Sequence, residues 1–258
     1  MTKGVNVGLY LSGQPVQINE CNIAITQPKI KDIVIFGEDE FLIALNIFGH
    51  PENITNPMKK GNSELEMFND FQLLLVIMNQ EPMIKSNILN FLNLICPNYE
   101  INITDSSIEF KIEQDDGNKI VVGMLNPFNF DKFKEVVNDL FEATADNERE
   151  PNYNPANEAA AAIAEKIKKG RERKNRMNAD KEGPQSLFGR YVSILSIGLQ
   201  MDISIFYNYT PFQLYDAFNR YFAKVNSDFY NRVSTMPFMD VSKTEQPPDW
   251  ARNLYKYK

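Results

Sequence analysis

The chain has 258 residues, 43% of them hydrophobic and 12% aromatic, which is enough apolar material to bury a core and excludes wholesale disorder. Lys and Arg number 27 against 34 Asp and Glu, and the resulting charge of −7 argues against a globally nucleic-acid-binding protein. One histidine, His50, and two cysteines, Cys21 and Cys96, leave little material for a zinc site, a disulfide framework or a catalytic triad, so the composition speaks against an enzyme.

The first 25 residues alternate loosely through Val5, Val7, Leu9 and Leu11 and carry Gly and Pro, which predicts short strands or an extended arm. Ile30, Ile33 and Val34 then give a short helical face closed by Gly37, and Phe41, Leu42, Ala44 and Leu45 give a second helix from Glu38 to Ile47. Residues 49–62 read as loop. Ser63 and Glu66 fit a capping box, so a helix is expected to begin there and run through Leu65, Phe68, Phe71 and Leu75. Another helix spans about Met83 to Ile95, bracketed by Pro82 and Pro97.

From Tyr99 the period changes to two. Ile101 and Ile103, then Ile108, Phe110 and Ile112, mark two half-buried strands, Asp116-Gly117 marks a turn, and Ile120 to Leu125 returns as a third strand. A helix follows from about Asn129 to Ala143. Residues 144–157 are polar and contain two prolines, and they lead into a helix from Glu158 that carries the basic run Lys166 to Arg176. Beyond Gly183-Pro184, Leu187, Tyr191, Ile194 and Leu195 form a helix, Asp202 to Phe206 a helical turn, and Thr210-Pro211 caps a long helix with a stripe at Phe212, Tyr215, Phe218, Phe222, Val225, Phe229 and Val233. The expected fold class is α+β, mostly helical, with a small antiparallel β-meander in the N-terminal half and an all-α C-terminal helical module. The expected organisation is an α+β domain over 1–143 with the meander near 99–125, a linker and charged helix over 144–184, and a helical module over 185–258.

No stretch matches a glycine-rich phosphate loop. The carboxylates Glu38-Asp39-Glu40 open a helix and Asp115-Asp116 occupy a turn, so helix-dipole and turn chemistry explain both. His50 lies beside Pro51 with no second histidine, and its default reading is an exposed loop residue. The basic run holds seven cations and one anion and reads as a solvated linker or a dock for an acidic protein. No catalytic residue, cofactor or metal is expected. The aromatic stripe reads first as core, and second as a groove or ridge that grips hydrophobic segments of another protein. Residues assigned to partner contact are Tyr191, Tyr207, Phe212, Tyr215, Tyr221, Phe222 and Trp250. Among them Phe212, Tyr215 and Phe222, with Phe218, are expected to be partly buried, and Tyr191, Tyr207 and Tyr221 to stand at the rim.

The C-terminal half runs from a charged helix (AEKIKKGRERKN) into SLFGRYVSILSIGLQMDISIFYNYTPFQLYDAFNRYFAKVNSDFYNRVS and then to Pro248-Asp249-Trp250. This order resembles the tail assembly chaperones of long-tailed bacteriophages of low-GC bacteria, and ITQPKIKDIVIFGEDEF resembles their entry segment. Where that family has glycine-rich dipeptides, this chain has Met236-Pro237-Phe238-Met239. The resemblance implies a viral chaperone without catalysis that coats the tape-measure protein, helps recruit tail tube subunits, and is absent from the mature virion. A possible homo-oligomer is compatible with it. Residues 1–17 carry one lysine and no signal-like apolar run, and the longest apolar stretch, Phe71 to Met78, falls far short of the ~20 residues that span a bilayer, so the host cytoplasm is the expected location. Competing readings are a structural virion component of tail or baseplate, and a nucleic-acid-binding regulatory protein using the cations of 166–176.

Overall fold

The computed structural model describes residues 7–60, 64–142, 186–236 and 250–251. The described chain runs α1 (Val7–Ser12), β1 (Val16–Ile18), β2 (Ile23–Ile25), α2 (Ile30–Phe36), α3 (Glu38–Gly49), α4 (Glu52–Lys59), α5 (Asp70–Gln80), α6 (Pro82–Ile95), β3 (Glu100–Ile103), β4 (Ile108–Glu113), β5 (Lys119–Leu125) and α7 (Phe130–Phe141), then α8 (Leu187–Leu199), α9 (Ile203–Tyr207) and α10 (Pro211–Ser234). This is an α+β fold: a helical body, a two-stranded hairpin and a three-stranded antiparallel meander in the N-terminal half, with helices at the C-terminus.

The core is dominated by phenylalanine. Helix α3 buries Phe41 and Phe48 against Phe91 of α6 and Phe133 and Phe141 of α7, with ring centroids 5.5 to 6.2 Å apart. Phe71 of α5 meets Phe130 at 4.7 Å. Offset and edge-on rings at these separations stabilise the packing beyond the area they bury. In the meander, Ile108, Phe110 and Leu125 point into the same core, and a bulge opposite Phe110 and Lys111 skips Val122. The β1–β2 hairpin covers the C-terminal part of the β5 edge: Met124 donates its backbone N–H to the Cys21 carbonyl, and the Asn22 side chain donates to the Val122 carbonyl. Gly123 makes that approach possible, since a Cβ there would stand 2.7 Å from Ile23 Cγ1 and 2.8 Å from the Cys21 oxygen.

The C-terminal helices close the other side of the same core. Phe188 of α8 lies between Phe41 and Tyr215, and Phe212 of α10 meets Tyr10 edge-on at 5.3 Å. Backbone contacts bind the two parts of the chain further: Ile30 N–H donates to the Tyr209 carbonyl, and the Gln213 side chain donates to the Leu11 carbonyl.

Three elements differ from the sequence-based reading. Residues 7–12 form helix α1, whose Tyr10 is buried under α10, so long-range packing overrides the local alternation. Within 49–62, residues 52–59 form helix α4 despite Pro57; Thr55 is fully buried and donates its hydroxyl to Asp70, and Lys59 joins the same carboxylate at 2.8 Å. The helix assigned to a cap at Ser63 begins later, at Asp70. Leu65–Met67 is a single 3-10 turn, and the reciprocal cap is Asn69 with Gln72, each side chain bonding the other's backbone N–H. Both boxes have the right spacing, but only Asn69 directly abuts the buried run of Phe71, Leu73, Leu74 and Leu75. The linker and charged helix assigned to 144–184 lie outside the described residues.

Candidate partner-binding surface

Helix α10 is set by its first turn. Thr210 accepts from Gln213 N–H, Gln213 accepts from Thr210 N–H, and Pro211 occupies the first helical position. Its first turns are core: Phe212, Leu214, Tyr215 and Asp216 are all buried. Phe212 is 4% exposed and Tyr215 6%, so neither is available to a partner, which corrects their assignment as contact residues. Burial pushes the Tyr215 phenol well above its ordinary range, reinforced by Tyr191, Glu38 and Glu142 nearby. Asp216 accepts from Arg220 Nε at 2.9 Å, one helical turn on, and Arg220 Nη1 donates to the Trp250 carbonyl at 3.0 Å.

Past that point the stripe leaves the core. Phe218 is half-buried against Tyr191, with centroids 4.5 Å apart, and stacks on Phe222 at 6.3 Å with the rings 11° from parallel. Phe222 is 46% exposed, Val225 43% and Phe229 68%. Trp250, 43% exposed, is brought to this helix by the bond to Arg220. Of the rim tyrosines, Tyr191, Tyr207 and Tyr221 are all half-buried, and the hydroxyl end of the Tyr221 ring lies against Gly198 of α8, where any Cβ would overlap it. The structure therefore brings Phe222 and Trp250 to an exposed surface, seats Tyr191 beside Phe218 and Tyr221 beside Gly198 at its base, leaves Tyr207 half-buried on the separate helix α9, and withdraws Phe212 and Tyr215 into the core.

Val225 and Phe229 belong to this surface too, although neither was assigned to it. The available signal was the composition around them: Asn226, Ser227, Asp228 and Asn231 narrow the apolar face to a single ridge, whereas a core-facing stripe is flanked by further apolar residues, as Phe212 is by Leu214.

The other chemical candidates have structural partners. Glu38 sits at the N-terminus of α8 and accepts from the backbone of Leu187 and Phe188 and from the Ser186 hydroxyl. Asp116 accepts from the backbone and side chain of Asn118 in the β4–β5 turn, which holds its carboxyl below the usual range. His50 is not a free loop residue: it caps α3 and lies between Glu52, 3.2 Å from Nδ1, and Glu142 on Nε2. Cys21 and Cys96 are buried free thiols, and desolvation pushes Cys21 up to about 11, far from a reactive thiolate. Among the described residues no three His, Cys, Asp or Glu side chains are grouped to hold a metal ion. A depression of about 390 Å³ beside Asn56, Lys59, Lys60 and Glu66 holds none of the residues singled out for binding.

Comparison of the chain with protein-family models, with curated proteins and with solved structures finds no match. Among the described residues no helix is long and apolar enough to cross a membrane.

Proposed function

We propose that this protein is a bacteriophage tail assembly chaperone, which binds the tape-measure protein in the host cytoplasm, helps bring tail tube subunits to it, and carries out no catalysis. One observation supports the reading above the rest: the second half of α10 carries Phe222, Val225 and Phe229 into solvent on a helix whose first half is locked in the core. Large apolar side chains exposed in a row on a rigid element are costly unless another polypeptide covers them. A ridge with few polar groups grips unlike apolar sequences, which suits a holdase better than a site built for one small molecule.

The test is co-expression with the tape-measure protein. The expected result is a soluble complex that survives affinity purification, and a Phe222→Ser/Phe229→Ser variant that leaves the client insoluble while remaining soluble itself. A client that precipitates equally with and without the wild-type chain overturns the proposal. Mass spectrometry of purified particles is a second check, because stoichiometric recovery of this chain would make it a virion component instead.

A further inference from the structure

The exposed ridge of α10 is spaced like one strand of a two-helix coil. Phe218, Phe222, Val225 and Phe229 follow one another at intervals of four, three and four residues, the a/d rhythm of a helix that packs along another helix. Residues 218–233 extend ~24 Å at the helical rise. The flank beside the ridge carries charges of both signs. Lys224 and Asp228 are both exposed, stand on the same side of the ridge, and form no ion pair among the described residues. Their order, lysine four residues before the acid, is the weaker one for a pair within one helix.

We propose that a second copy of this chain covers the ridge, the two α10 helices packing antiparallel about a two-fold axis near Ser227. In an antiparallel pair the same flanks of the two helices meet, so a single side of each helix must supply both charges, as this one does. Centring on Ser227 sets Val225 of each copy on Phe229 of the other and brings Lys224 of each within reach of Asp228 of the other. Every contact then occurs twice, which is the requirement of a two-fold interface. The arrangement regulates the surface proposed above, and it rests on that reading only in this respect: Val225 and Phe229 serve both the partner and the second copy, so the free protein shields them until a client displaces the copy. An interface of this length falls below the standard size for stable complexes, so the dimer is weak and exchangeable, as displacement requires.

The experiment is analytical ultracentrifugation of the purified full chain, without client, over a concentration series reaching about 100 µM, above the micromolar dissociation constant such a small interface implies. A reversible monomer–dimer equilibrium is expected. Phe229→Asp should weaken it at least about a hundredfold, because it buries a charge beside the two-fold axis, against Val225 of the other copy. Lys224→Asp and Asp228→Lys should each weaken it by about tenfold, and the double reversal should restore it. A wild-type chain that stays monomeric throughout, a dimer indifferent to Phe229→Asp, or a double reversal no tighter than the single changes overturns the proposal. All three changes are at exposed positions, and unchanged helical circular dichroism confirms folding. A dimer that binds no tape-measure protein would sink the chaperone reading alone, and a monomer that binds it would sink only the self-pairing.

Discussion

The carboxylate of Glu38 accepts the backbone N–H of Leu187, 149 residues further along the chain, and also that of Phe188 at 3.1 Å. Glu38 opens α3 directly after Gly37, whose φ of +114° suits a residue without a side chain, while Leu187 and Phe188 open α8. One anion thus neutralises two unsatisfied amides at a positive helix end, and it does so beside the point where Phe188 enters the core between Phe41 and Tyr215. Glu38→Ala should destabilise the protein by about 1–2 kcal/mol, because Ser186 still caps Gly189 N–H and only the long-range anchor is lost. Urea unfolding checks this, and Glu38→Gln should recover part of the loss by accepting one bond without charge.

Gly198 and Tyr221 join α8 to α10 by close approach. A methyl group at Gly198 would occupy the place of the tyrosine ring end, so Gly198→Ala should lower stability by about 1–3 kcal/mol even though alanine favours helix. In a Tyr221→Ala background the same change should become neutral or stabilising. That reversal of sign, read from paired melting curves, distinguishes a packing clash from a backbone effect.

Most of the fold was legible from the sequence. The caps that could be read were those adjoining an apolar run, as at Thr210-Pro211, and the strict alternation of 99–125 gave the meander. The elements that escaped were those whose stability is tertiary. Nothing local in ENITNPMK announces a helix; Thr55 and Lys59 hold it by sharing Asp70. The site was half legible for a related reason. The stripe of α10 is continuous in sequence, and periodicity reports which side of a helix is apolar but not where along its length the neighbouring helices end. Phe212 and Phe229 hold equivalent places in that period and are told apart only by the polarity of their neighbours, yet they differ in exposure from 4% to 68%.

His50 gives the fold a pH dependence of predictable sign. Desolvation opposes its charging, but the hydrogen bonds and charges of Glu142 and Glu52 outweigh that, and its pKa stands above the ordinary 6.5. Lys134 also approaches Glu52, at 3.8 Å, and softens the local negative field. A raised folded-state pKa means that the stabilisation is complete below about 6.5 and is lost as pH rises through the folded value. Unfolding free energy should therefore decline from mildly acidic toward neutral and slightly alkaline pH, and His50→Gln should remove that decline. Asp70 titrates in a separate window: Lys59 and Thr55 lower its pKa against the cost of burial, so its contribution is lost only in acid. A wild-type and His50→Gln pair with parallel stability profiles between pH 6 and 8 would show that the histidine is not held as described.

Phe212 and Phe229 offer the sharpest separation of core from contact surface. Phe212 packs on Tyr10 and is almost wholly enclosed, so Phe212→Ala leaves a cavity and should cost about 3–5 kcal/mol. Phe229 is largely in water already, so Phe229→Ala should change stability by less than about 0.5 kcal/mol. The effects on association should run in the opposite order. At a temperature where both variants are folded, Phe229→Ala should abolish capture of the tape-measure protein, and Phe212→Ala should retain it, because the ridge beyond Ala223 keeps its own helix. Thermal melts and pull-downs on the same preparations decide the matter, and equal loss of capture in both variants would return the stripe to a purely structural role.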